Sequence, residues 1–173
     1  MEKIIGIGTV KVFDTLAEYT DDFNGNGDVL GDTEGGSALK VNGTYEEIRV
    51  DQSMDPDTII KTQNEIVIDT VLKDVAKATM LLLFPEFTDA TSEVYMTNTA
   101  MLDLKSTAKV CVVRPFGYTN DDRDYIIHKA VLKPQGAFSF DKSTLQGVEL
   151  QIQAIRNDNA GESEKVLTIR KNT

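Results

Sequence analysis

Between Thr58 and Leu72 the chain reads TIIKTQNEIVIDTVL, and its side chains alternate in character along the whole run. Asn64, Ile66, Ile68, Thr70 and Leu72 fall on one face of an extended chain, and Lys61, Gln63, Glu65, Val67 and Asp69 on the other. A period of two with many β-branched residues specifies a strand that is dry on one side and wet on the other. Strands usually run about five or six residues, so this length exceeds what a small sandwich needs. It suits a subunit that contributes strands to something larger. A second alternating run, Tyr45 to Ser53, precedes it, and Asp55-Pro56-Asp57 makes the turn between them.

Other strands are expected at Thr9–Phe13, Leu39 and Val41, Glu93–Met96, the end of Leu102–Pro115, Tyr125–Leu132, Ala137–Phe140, Gly147–Ile155 and Lys165–Arg170. In Gly147–Ile155, Val148, Leu150, Ile152 and Ala154 face inward, and Glu149, Gln151 and Gln153 face outward. One helix is expected over about 73–84. Val75, Thr79 and Leu82 recur at helical spacing beside Leu72, Ala76, Met80 and Leu83, and Pro85 stops it. Many strands and one firm helix predict a mainly β (α+β) sandwich or barrel with a flanking helix, as a single domain over 1–173. Residues 1–8 read as an arm, and 14–31 as a mobile Asn/Gly/Asp-rich loop whose stretch 14–22 is a short helix or a loop.

The chain's 173 residues and 40% hydrophobic content fit one packed domain. Its longest apolar run, Met80–Phe84, is too short to span a bilayer, and MEKIIGIG is too short for a secretory signal. Net charge is −10. The segment Asp14–Asp57 supplies all of it, with twelve acids against Lys40 and Arg49. Such a chain does not grip nucleic acid by neutralising phosphates. Acidity instead keeps a subunit soluble and repels polyanions.

Asp22, Asn24, Asn26, Gly27, Asp28 and Val29 match the first half of an EF-hand loop. The match fails where the closing carboxylate belongs: Thr33 stands there, with Glu34 one residue late. The segment therefore reads as a surface turn. GDTEGG lacks the lysine and preceding strand of a phosphate loop. One cysteine, Cys111 in an apolar run, reads as a buried hydrophobe, and the single His128 as structural. Glu46-Glu47 and Asp121-Asp122 read as solvated faces rather than acid/base pairs. No catalytic, cofactor-binding or metal-ligating residue is expected, and the chain reads as a structural or binding protein rather than an enzyme.

The order of features resembles the tail tube (major tail) proteins of long-tailed bacteriophages. The likeness rests on LGDTEGG entering a strand with the acidic stretch YEEIRVDQS, then TQNEIVIDTVL, then the helix before LLLFP. Late in the chain, YIIHKAVLKPQGAFSF, a strand and a polar hairpin are similar to that family's closing strands. The resemblance implies a β-sandwich with a flanking helix, built into hexameric rings that stack into a hollow virion tail tube. Each subunit lends strands to an inner barrel through which DNA passes without specific binding. Six copies carry on the order of −60, six times the formal charge, which repels phosphates. The lumen is expected to receive either Lys61, Gln63, Glu65 and Asp69, or Glu149, Gln151 and Gln153. Asp28, Leu30, Thr33 and Glu34, with the loop 14–31 or the tail after Lys171, are expected between subunits. Tape measure, tail terminator and tail tip proteins are the implied partners. The implied location is the virion, with the host cytoplasm during assembly. The alternative is a monomeric β-sandwich binding module for calcium or a glycan.

Overall fold

The computed structural model describes residues 2–48, 58–73, 75, 77–84, 87–89, 94–96, 103–118, 123–135, 147–157 and 165–170. In chain order they form β1 (Glu2–Gly6), β2 (Gly8–Phe13), α1 (Leu16–Asp21), β3 (Asp28–Asp32), β4 (Ser37–Ile48), β5 (Thr58–Lys73), α2 (Lys77–Leu83), β6 (Phe87–Asp89), β7 (Val94–Met96), β8 (Lys109–Pro115), β9 (Tyr125–Gln135), β10 (Gly147–Ala154) and β11 (Leu167–Ile169). The fold is mainly β with two short helices. Nine strands make one antiparallel sheet in the order β1-β4-β5-β10-β9-β8-β2-β3, with β11 also on β9, and β6 pairs with β7 separately. Among the described residues no helix is long and apolar enough to cross a membrane.

The sheet curls back on itself. Thr33, just after β3, bridges to Leu72 of β5. The Thr33 N–H donates to the Gly8 carbonyl at 2.8 Å, and the Glu34 N–H to the Val71 carbonyl at 2.7 Å. The Gly8 N–H returns a bond to the Thr33 hydroxyl at 2.8 Å. Strands β5, β10, β9, β8, β2 and β3 thus complete a circuit, which removes edges that an open sheet would expose. Glycine is required at position 8, because a Cβ there would lie 2.4 Å from the Arg114 carbonyl oxygen.

Two hydrophobic cores flank the same strands. Inside the circuit lie Val10, Val12, Leu30, Leu39, Ile68, Leu72, Cys111, Val113, Ile127, Leu150 and Ile152. Outside it, Phe13, Val110, Val112 and Ile126 pack with Tyr19 of α1, and Leu16 and Phe23 join them. Successive residues of β8 therefore point into opposite cores, which explains why VCVV is continuously apolar rather than alternating. Thr15 caps α1, its hydroxyl accepting from the Glu18 N–H. On α2, Thr79 and Leu83 are buried below Val75, the four-residue spacing of one helical face.

Several boundaries differ from the sequence expectation. Residues 2–6 are a strand against β4 rather than an arm, with Lys3 opposite Leu39. Within 14–31 the chain holds α1 and most of β3. The helix expected over 73–84 is Lys77–Leu83, because β5 continues to Lys73. Strand β9 runs on through Pro134, past the expected end at Leu132; Pro134 faces Leu150. Its pairing with β8 stops at Lys109↔Ala130, so a residue without an N–H is tolerated further on. The expected strand 137–140, the distal end of the run 45–53, Pro85, the hairpin beyond Asn157 and the tail after Lys171 lie outside the described residues.

Candidate assembly surface

The two faces offered by sequence as alternatives are one face. In the β5–β10 ladder Asp69 stands opposite Gln151, Val67 opposite Gln153, and Val71 opposite Glu149. Residues directly opposite share a side of the sheet. Lys61, Gln63, Glu65 and Asp69 therefore form a single wall with Glu149, Gln151 and Gln153. β4 adds Lys40, opposite Val67, and β9 adds Lys133, opposite Gln151.

The wall is stitched by polar contacts. Lys40 Nζ donates to Asp69 Oδ2 at 2.7 Å, and Gln151 Nε2 to Asp69 Oδ1 at 3.2 Å. Gln153 Nε2 donates to Glu65 Oε1 at 3.2 Å, and its Oε1 accepts from Lys133 Nζ. Lys40, Lys61 and Lys133 balance Glu65, Asp69 and Glu149. Segment 14–57, which holds the chain's excess acid, contributes Lys40 to this wall and Glu47 to the same face further along the arm.

Beyond Lys40 no described strand pairs with the outer edge of β4. Beyond Val67, towards Thr58, none pairs with the β10 side of β5. The two strands continue together to Ile48 and Thr58 as a two-stranded arm. Every residue from Asn42 to Ile48 and from Thr58 to Glu65 is exposed. Yet the arm carries Tyr45 (60% exposed), Ile59 (59%), Ile48 and Ile60. Lys61 Nζ sits 5.7 Å from the Tyr45 ring centre. A two-stranded ribbon alone is marginal in water, and the exposed apolar groups along it gain from cover.

Of the inter-subunit candidates, Asp28 is exposed and Glu34 pairs with Lys73 at 3.4 Å. Leu30 is in the inner core and Thr33 is buried at the closure point. Both are buried within their own chain. Leu30 is drawn inward because β3 alternates, with Val29 pointing out.

The Asn/Gly turn also has an internal role. Lys11 Nζ, buried under it, donates to the carbonyls of Phe23 (2.6 Å), Asn26 (2.9 Å) and Asn24 (3.3 Å). It lies 5.0 Å from the Phe23 ring centre. Burial lowers the Lys11 pKa, against the pull of Asp22. Asp22 accepts the Asn24 N–H at 2.9 Å, and backbone bonds from Gly25 and Asn24 depress its pKa. The atoms that would ligate calcium in such a loop are the side chains of Asp22, Asn24 and Asn26, and two of these are engaged within the turn: Asp22 accepts the Asn24 N–H, and the Asn26 amide donates to the Glu18 carbonyl at 3.2 Å. Among the described residues no group of three or more His, Cys, Asp or Glu is placed to hold a metal. Gly27, at φ +74, lets the turn lie on Phe13, whose ring a Cβ would meet at 2.5 Å.

Sequence reasoning missed a buried ion pair. Arg114 Nε and Nη2 donate to Asp124 Oδ1 and Oδ2 at 2.8 and 2.7 Å, and the Tyr19 hydroxyl donates to Oδ2 at 2.9 Å. Phe23 stacks on the guanidinium at 3.6 Å. Burial opposes the Arg114 charge, but the Asp124 hydrogen bonds outweigh it and raise its pKa. This network ties α1 and the turn to the sheet. His128 Nε2 bonds the Thr168 hydroxyl at 2.8 Å, joining β9 to β11. Burial pushes the Cys111 thiol up to about 12.

No protein-family model and no curated protein matches the chain.

Proposed function

We propose that the chain is the structural subunit of a phage-type tail tube, in which copies close into rings and rings stack around a hollow lumen. The observation that carries this reading is the arm of β4 and β5. It is long, exposed on both faces, and carries four large apolar side chains that its own fold leaves uncovered. An element of that kind is stabilised by a second copy.

The wall supports a lumen role. Lys40 is held by Asp69 and Lys133 by Gln153, so a phosphate must displace Asp69 to reach Lys40. A surface of amides and internally paired charges offers DNA little to bind. The acidic segment adds long-range repulsion. A monomeric calcium module draws less support, because the Asp22 carboxylate and the Asn26 amide are engaged within the turn and the closing carboxylate position holds Thr33. On this reading the chain acts by assembly and carries out no catalysis. Its partners are other copies of itself and the proteins that start and end the tube.

Sedimentation across a concentration series tests the proposal. Growth from the 19.1 kDa chain into ring-sized and larger species is expected. A single 19.1 kDa species at every concentration contradicts it.

A further inference from the structure

The chain carries three Asn-Gly pairs, Asn24-Gly25, Asn26-Gly27 and Asn42-Gly43. In such a pair the glycine nitrogen can attack the asparagine side-chain carbonyl, because no Cβ obstructs the approach. The fold treats the three pairs differently. Asn42 and Gly43 lie in the β4–β5 ladder, opposite Glu65 and Asn64. An extended backbone holds the Asn42 side chain out from the sheet and the Gly43 nitrogen in its plane, so the two stay apart. Asn26 is clamped. Its amide donates to the Glu18 carbonyl at 3.2 Å and its N–H to the Asp22 carbonyl at 3.0 Å, while Gly27 lies on the Phe13 ring.

The first pair is arranged for the reaction. Asn24 and Gly25 are exposed, and among the described residues nothing bonds the Asn24 side-chain amide. The peptide that joins them is held on both sides. At its nitrogen, the Asp22 carboxylate accepts the Gly25 N–H, and it packs so closely that a Cβ on Gly25 would strike Asp22 Oδ2. At its oxygen, the buried Lys11 ammonium donates to the Asn24 carbonyl at 3.3 Å. A proton acceptor on the nitrogen and a cation on the oxygen both favour the deprotonated peptide, whose charge rests largely on oxygen. That species is the nucleophile.

We propose that Asn24 is a self-modification site, at which the Gly25 nitrogen closes on Asn24 Cγ with Asp22 as the base and Lys11 as the electrostatic stabiliser. The N–Cγ bond forms as the Gly25 proton passes to Asp22. The Cγ–Nδ2 bond then breaks, and ammonia leaves with the proton that Asp22 returns. Water opens the cyclic imide at either carbonyl, leaving aspartate or isoaspartate at position 24. The net change is amide plus water to acid plus ammonia, with nothing oxidised or reduced. Isoaspartate adds a methylene to the main chain between the Phe23 and Asn26 carbonyls, which spreads the cluster that Lys11 gathers. The site stands independently of the assembly reading.

Peptide mapping of the full chain, incubated near neutral pH both folded and unfolded in urea, tests this. Asn24 is expected to convert several-fold faster in the folded chain, while Asn26 and Asn42 convert more slowly there. Slower conversion of Asn24 in the folded chain, or an equal rate, overturns the proposal without recourse to any variant. Two variants separate the built site from mere mobility. Asp22→Asn and Lys11→Met each loosen the turn, so mobility alone would speed conversion. The proposal expects the reverse, with Asp22→Asn slowing Asn24 about tenfold or more through loss of the positioned base. Lys11→Met is expected to slow it as well. Continued protection of Asn42 reports that each variant is folded. Faster or unchanged conversion of Asn24 in the folded variants overturns the roles of Asp22 and Lys11.

Discussion

Gln151 stands directly opposite Asp69, and its side-chain amide donates to Asp69 Oδ1 while Lys40 holds Oδ2. Three strands, β4, β5 and β10, thus converge on one carboxylate. The register that brings them together also puts Ile68, Leu72, Leu150 and Ile152 inside. A slip of one residue would reverse both sets at once.

The wall's neutrality predicts how it responds to charge. Glu65→Lys with Asp69→Lys turns a balanced face into a basic one. The folded chain should lose no more than about 1 kcal/mol, since the affected ion pair is half-exposed. Assembled variant is expected to retain DNA at low salt and release it as salt rises, where wild type retains none. Filter binding over a salt series checks this.

Breaking the Arg114–Asp124 pair should be costly. Asp124→Ala leaves a buried guanidinium and the Tyr19 hydroxyl without their acceptor. A loss of about 3–5 kcal/mol is expected from urea unfolding. The double change Arg114→Met and Asp124→Leu should cost less than either single change.

Lys11→Met removes the cation that gathers the Phe23, Asn24 and Asn26 carbonyls. Unfolding free energy should fall by about 1–3 kcal/mol through the stranded acceptors. Millimolar calcium should leave the wild-type melting temperature unchanged. A calcium-dependent rise would revive the binding-module alternative.

Cys111 predicts alkaline behaviour. Its folded pKa of about 12 exceeds the ordinary 9.0, so the folded chain keeps a proton that the unfolded chain releases. The stability it contributes is whole below pH 9.0 and declines as pH rises towards about 12. The slope is roughly 1.4 kcal/mol per pH unit in that window. Lys11 acts with opposite sign just below 10.5, because its lowered pKa leaves the unfolded chain with more protons there. Cys111→Ala should remove the first term, read as a shallower decline between pH 9 and 10.

The strands that face a core on one side and water on the other were legible. Period two in Thr58–Leu72 and Gly147–Ile155 identified inner and outer faces, and the buried set Ile68, Leu72, Leu150 and Ile152 follows it. The union of the two polar faces was not legible, because strand partners far apart in sequence are fixed by the whole sheet. Leu30 and Thr33 looked like loop residues among Asn, Gly and Asp, yet β3 closes the barrel through them. Lys11 and Asp124 gave little signal. A lone charge beside apolar residues reads as surface until the element that covers it is known. The arm's length was visible in the alternation; its exposure on both faces depends on where β1 and β10 stop.

Negative-stain electron microscopy of the purified chain tests the central claim most directly. Rings with a central pore, or hollow tubes of stacked rings, are the expected result. Compact particles of single-chain size at all concentrations, with the arm still exposed, would contradict it.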